Sequence, residues 1–126
     1  GTVRTLAVVE DNADNRLRLR ALLDVRFLIV EFESGMDAIA GLPLAGAELV
    51  LLDISLPGMD GVEVLGRLRA DARLRALPVI ALTAHAMTGD REMFLRAGFD
   101  DYVTKPIIDE TVLIDAIERH LAEPAP

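Results

Sequence analysis

Leu49-Val50-Leu51-Leu52-Asp53, followed by Ile54-Ser55-Leu56-Pro57-Gly58-Met59-Asp60-Gly61, decides how this chain folds. Four consecutive apolar residues suit a strand buried on both faces, as strands of a parallel sheet are. The run stops at a carboxylate, and Pro57-Gly58 then turns the chain. Gly61 allows close backbone packing or an unusual dihedral. Asp53 therefore ends a buried strand, at the edge where open parallel sheets place their ligand crevice. Taken alone, an aspartate there could merely begin a turn, so the weight falls on the other acids.

Outward from this stretch the same pattern recurs. Leu6-Ala7-Val8-Val9 reads as a buried strand ending at the successive carboxylates Glu10 and Asp11. Asn12 or Asp14 can cap the helix that follows. Leu19, Leu22 and Leu23 have helical spacing, with Arg16, Arg18 and Arg20 expected on a wetter face and the helix ending near Val25. Phe27 to Phe32 is a second strand. Ser34 and Asp37 resemble a capping box and open a short helix of small residues, which Gly41, Pro43 and Gly46 are expected to break up. Asp60 and Glu63 repeat the capping pattern ahead of a helix to about Ala70, with Val62, Leu65 and Leu68 as its apolar stripe.

Val79-Ile80-Ala81-Leu82 is another apolar run, ending at Thr83-Ala84-His85. A helix from about Gly89 to Ala97 follows, with Gly98 placed as a C-cap. Tyr102-Val103-Thr104 is a last short strand, ending at Lys105-Pro106. Asp109 can cap a final helix carrying Leu113, Ile114, Ile117 and Leu121, and 122–126 reads as a tail or linker start. Strands alternating with helices mean an α/β fold with a parallel sheet and right-handed crossovers. For five strands in a chain of this size the expected order is 2-1-3-4-5, the doubly wound, flavodoxin-like arrangement with five helices. In that order strands 1 and 3 are neighbours, so Glu10, Asp11 and Asp53 meet at one crevice. Thr83 and Lys105 end strands 4 and 5 on the same edge.

Composition sets the bounds. The chain has 126 residues, which suits a single domain over 1–126. It has no cysteine, so disulfides, thiolate metal sites and cysteine nucleophiles are excluded. The net charge of -8 argues against a phosphate-binding nucleic-acid surface. No apolar run has transmembrane length and no signal-peptide pattern is present, so no direct membrane contact and a cytoplasmic location are expected.

Three carboxylates in one crevice repel one another unless a cation neutralises them. All-oxygen ligands favour a hard ion, and Mg²⁺ typically takes one or two carboxylates plus phosphate oxygens. Lys105 adds a point charge suited to a phosphoryl group, and Thr83 a hydroxyl donor. An aspartate held beside Mg²⁺ can itself be the nucleophile, giving an aspartyl phosphate. Each member has a plainer explanation: Glu10 and Asp11 as acids at a helix N-terminus, Lys105 as a surface lysine, Thr83 as a strand end. All of them at successive strand ends is much harder to obtain by accident.

Val8-Val9-Glu10-Asp11-Asn12, Leu51-Leu52-Asp53 with Leu56 to Gly61, Ala81-Leu82-Thr83-Ala84, and Ala97-Gly98 through Tyr102 to Lys105-Pro106 together resemble the receiver domain of two-component response regulators, over essentially the whole chain. The resemblance implies that Asp53 is the phosphoacceptor and that Glu10 and Asp11 hold Mg²⁺ with Asp53 and the Ser55 backbone carbonyl. It implies that Thr83, Ala84 and Lys105 bind the phosphoryl group, that Thr83 and Tyr102 form the switch, and that the Lys105-Pro106 bond is cis. The implied partners are a sensor histidine kinase or histidine phosphotransfer protein and a downstream effector or output domain, with catalysis limited to the domain's own phosphorylation and slow dephosphorylation. The wording around Asp11-Asn12, Asn15 and Thr83 to Met87 looks most like receivers of hybrid sensor kinases and single-domain regulators. The Asp24–Phe27 turn departs from the pattern, being a residue short and lacking its common glycine.

Tyr102 could equally be an aromatic filling a sheet edge. His85 is expected to be a loop histidine that modulates phosphoryl lifetime, and His120 a surface residue helped by the helix dipole. Two rival functions are weaker. A Mg²⁺-dependent phosphatase like the haloacid dehalogenases would want a second acid two residues after the nucleophile, where Ser55 stands. A pseudo-receiver that binds without phosphorylation would not need the intact acids and Lys105.

Overall fold

The apolar runs form the five strands of one parallel sheet, in a computed structural model that describes residues 3–84, 90–105, 107 and 109–121. In chain order the elements are β1 (Arg4–Val9), α1 (Ala13–Leu23), β2 (Phe27–Phe32), α2 (Gly35–Ala45), β3 (Leu49–Asp53), α3 (Gly61–Ala70), β4 (Val79–Thr83), α4 (Asp90–Ala97), β5 (Asp101–Thr104) and α5 (Glu110–His120). The strand order is β2-β1-β3-β4-β5, the doubly wound order expected for five strands in a chain of this size.

Alternation along the strands divides the core in two. Ala7, Val9, Val50, Leu52, Val79 and Ala81 face α2, α3 and Phe94 of α4. Leu6, Val8, Leu49, Leu51, Ile80 and Leu82 face α1 and α5. Register then aligns the strand ends. Val9 pairs with Leu52, Asp53 with Leu82, and Thr83 with Thr104. Glu10, Asp53, Thr83 and Lys105 consequently emerge along one edge.

Several local expectations need correction. Gly41 and Pro43 do not break α2, which runs unbroken to Ala45 and ends at Gly46 in the left-handed region, φ +68°. Gly41 is tolerated because it lets the Phe32 ring pack where a Cβ would stand 2.4 Å away. On α3 the buried stripe is Gly61, Val64, Leu65 and Leu68, while Val62 is exposed. Helix α1 stops at Leu23 rather than near Val25, with the Asp24 N–H donating to the Arg20 carbonyl. Asn12, not Asp14, is its cap, accepting from the Asn15 N–H at 3.0 Å. His85, Gly89, Pro106 with the expected cis bond, and the tail 122–126 lie outside the described residues.

Gly61 is where a close approach excludes a side chain. A Cβ there would lie 2.7 Å from the Asp53 carbonyl oxygen and 2.8 Å from Ile54 Cα, both main chain. Gly66, in the middle of α3, has nothing within 4 Å of a Cβ. Gly61→Ala should therefore destabilise the fold by about 1–3 kcal/mol. Gly66→Ala should stabilise it by up to about 1 kcal/mol through helix propensity. Urea unfolding of the two variants checks the contrast, and equal effects would contradict the packing account.

Candidate functional site

Three carboxylates gather where β1 and β3 end. One ligand atom from each of Glu10, Asp11 and Asp53 lies within 4.8 Å of the others. Glu10 and Asp53 are buried, and Asp11 is exposed at the mouth. Lys105 reaches over from the end of β5, its Nζ 3.2 Å from Glu10 Oε1 and 3.2 Å from Asp53 Oδ2. The Lys105 N–H donates to the Thr83 carbonyl at 2.7 Å, which fixes the base of that side chain. The Ser55 N–H donates to Asp53 Oδ1 at 3.0 Å.

Burial penalises every charge here, and the neighbours decide which charges survive. Burial, reinforced by the hydrogen bond and the charge of Asp53, pushes Glu10 up to about 7 against the lowering pull of Lys105. Burial also tends to raise Asp53. Hydrogen bonds from Glu10 and the Ser55 N–H, with the charge of Lys105, outweigh that and hold Asp53 below the usual aspartate range. Burial tends to lower Lys105, but the charges of Asp53 and Glu10 outweigh it and leave the ammonium held more firmly than usual. The neighbours thus push the two buried acids apart, Glu10 toward its protonated form and Asp53 toward its ionised one.

The remaining expected residues stand close by. Thr83 is buried at the end of β4. Ala84 is exposed and lines a cavity of about 280 Å³ with Glu10, Lys105, Arg18, Leu19 and Ile107. Tyr102 is half-buried, its ring centroid 5.8 Å from that of Phe94, so it packs on the core side of β5 next to α4. His120 is more than a surface residue, because its Nε2 lies 3.0 Å from Asp101 Oδ2 and ties α5 to β5.

Arg16 overturns the expectation of a wet face. Its side chain is only 14% exposed, and Nη1 donates to the carbonyls of Glu10 at 2.8 Å and Asp11 at 3.0 Å. Asn15 Nδ2 donates to Glu10 Oε1 at 3.1 Å. Helical periodicity gave no sign of either role. The available signal was position, since both residues fall in the first turn after the acid pair, where a helical side chain leans back toward the N-terminus.

Residues 6–118 match the response regulator receiver domain family, and the chain belongs to it. It is 37% identical over 125 residues to the sensor protein GacS of Pseudomonas syringae pv. syringae, covering 94% of this chain but 14% of that protein. It is 37% identical over 121 residues to the polar-differentiation response regulator DivK of Brucella ovis, covering 95% of this chain and 98% of DivK. The crystal structure of the receiver domain of a Pseudomonas aeruginosa PAO1 sensor histidine kinase, which carries a magnesium ion in its active-site cleft, superposes with a TM-score of 0.83 at 32% identity, covering 94% of this chain and 97% of that one. The chain is therefore a receiver domain of the two-component signalling class. No helix among the described residues is long and apolar enough to cross a membrane.

The charge distribution makes a pH prediction for the metal-free domain. Glu10 is raised on folding, so its contribution to stability is full below about 4.5 and is lost as pH rises through about 7. Asp53 is lowered and has the opposite sign, contributing above the ordinary aspartate range and losing that as pH falls through its lowered value. In chelator, wild-type stability should decline between pH 4.5 and 7 by on the order of 2 kcal/mol from Glu10. Glu10→Gln should remove that decline. Urea unfolding across the window checks it, and parallel curves for the two proteins would refute it.

Proposed function

We propose that this receiver accepts a phosphoryl group on Asp53 from the phosphohistidine of a sensor histidine kinase or histidine phosphotransfer protein. The observation that carries the reading is a buried aspartate 3.2 Å from Lys105 in a crevice of three acids. An Asp53 carboxylate oxygen forms the new O–P bond while the P–N bond of the donor breaks, its electron pair returning to the imidazole nitrogen. Lys105 holds the phosphoryl oxygens by charge, and the Thr83 hydroxyl and Ala84 main chain take the others. The cavity beside Lys105, walled by Leu19 and Ile107, offers the donor's ring an apolar approach.

The donor set fits Mg²⁺, being oxygen throughout with no nitrogen or sulfur ligand in the cluster. Glu10, Asp11, Asp53 and the Ser55 carbonyl would hold the ion, which would neutralise the crevice and orient phosphoryl oxygens when bound. We read 1–126 as one receiver unit acting in the cytoplasm on protein partners, with no direct nucleic-acid or membrane contact and no turnover beyond its own phosphorylation and dephosphorylation. Phosphorylation adds about -1.5 to -2 charge beside β4. Drawing Thr83 toward that charge would open space beside Tyr102 and shift its packing on Phe94, changing the surface of α4, β5 and α5 that a downstream effector or output domain would sense.

Acetyl phosphate with Mg²⁺ should add one phosphate to the intact mass of the wild type and none to Asp53→Asn; equal labelling would remove Asp53 from this role. Asp11→Ala should weaken Mg²⁺ binding by more than about tenfold in calorimetry, and undiminished affinity would count against the metal assignment. In Thr83→Ala, beryllofluoride should still bind but should shift the Tyr102 amide region less than in the wild type. Identical shifts would break the proposed coupling.

A further inference from the structure

We propose that Arg16 is a positioning residue for the acid pair: its guanidinium holds the main-chain carbonyls of Glu10 and Asp11 and so sets the direction in which both carboxylates enter the crevice. The inference rests on the metal-binding role proposed above for these acids. It goes further in assigning their alignment to a residue that touches neither the phosphoryl site nor either carboxylate.

Arg16 stands in the first turns of α1, its own N–H bonded to the Asn12 carbonyl at 3.0 Å. Its side chain turns back toward the helix N-terminus, the direction a helical Cβ favours. Two carbonyls of consecutive peptides meet one guanidinium nitrogen, at 2.8 Å from Glu10 and 3.0 Å from Asp11. With both oxygens fixed, the peptide planes on either side of Asp11 have little freedom to rotate, which fixes the Asp11 Cα–Cβ bond; the Glu10 N–H, bonded to the Phe32 carbonyl at 3.1 Å, holds the peptide before Glu10 and so fixes its Cα–Cβ bond as well.

The far side of the guanidinium is anchored. Nη2 lies 3.4 Å from Glu33 Oε1, and Nε lies 3.7 Å from Glu31 Oε1. These acids offset the arginine's charge, so its effect on a cation in the crevice is chiefly geometric rather than repulsive. A planar fork can serve carbonyls on one side and carboxylates on the other, whereas a lysine offers a point charge on a flexible stem. Asn15 completes the arrangement at the side-chain level through its bond to Glu10 Oε1.

The alternative is that Arg16 merely ties α1 to β2, and Glu31→Gln separates the two. It weakens the anchor on β2 and leaves the carbonyl bonds in place. In Arg16→Ala, amide hydrogen exchange at Asp11 and Asn12 in the metal-free protein should quicken by about tenfold or more. Its Mg²⁺ affinity by calorimetry should fall by roughly tenfold. Arg16→Lys should not restore the affinity, and Glu31→Gln should leave it within about twofold of wild type. Should Arg16→Ala fail to fold, Arg16→Met keeps the apolar stem and carries the same expectation.

Unchanged loop exchange and Mg²⁺ affinity in the Arg16 variants would overturn the proposal, as would a loss in Glu31→Gln as large as in Arg16→Ala. A wild-type protein that bound no Mg²⁺ would instead overturn the functional reading. The exchange measurement would then still decide whether Arg16 positions the loop.

Discussion

Glu10 and Asp53 share a buried crevice because the Lys105 ammonium lies 3.2 Å from each. Two ionised carboxylates at such range in a low-dielectric pocket repel strongly, and neither can be solvated there. Raising Glu10 toward its protonated form and setting the Lys105 charge beside Asp53 favours Asp53 as the ionised member of the buried pair. That division of charge follows from burial as much as from contact: Glu10 is inaccessible to solvent, and the third acid, Asp11, stays exposed. A cation entering from the mouth would take over the neutralising role and release the proton from Glu10.

The sheet makes this division possible. Lys105 directly follows β5, the strand two places from β3, and it reaches Asp53 because β3, β4 and β5 end close to level with one another. The opposite edge is fixed by a second arginine fork. Arg69 of α3 donates to the carbonyls of Arg75, Leu77 and Gly98 and to Asp100 Oδ2, which also accepts the Val79 N–H at 2.8 Å. Arg69 sets where β4 and β5 begin, and Arg16 lies where β1 ends. Main-chain carbonyls that helices and strands leave unpaired are satisfied at both edges by guanidinium groups, as the accounting of buried backbone groups requires.

The central strands β1, β3 and β4 were legible in the sequence because each carries a run of apolar residues stopped by a polar one, and a sheet covered on both faces needs little else. The crevice was legible for the same reason, since its acids and its lysine are the stopping residues. What escaped was set by tertiary packing. Gly41 and Pro43 look like helix breakers, yet Gly41 is where Phe32 needs room, and α2 continues through both. Val62 and Val64 are equally apolar, and the register of α3, with Gly61 packed close on Ile54, puts Val64 on the buried face with Leu65 and Leu68. Arg16 and His120 read as surface residues because periodicity reports which face is apolar. It does not report which polar side chain will find a carbonyl or a carboxylate across a loop.

The most direct test is a site-resolved titration of the carboxyl carbons of Glu10 and Asp53 by NMR in metal-free protein. Asp53 should titrate below the usual aspartate range, held by Glu10, Ser55 and Lys105, and Glu10 should titrate near 7. In Lys105→Met the Asp53 midpoint should move up, because the charge that favours its ionised form is gone. Ordinary midpoints for both groups, or an Asp53 midpoint unmoved by the loss of Lys105, would contradict the view that this crevice is built to keep one aspartate ionised.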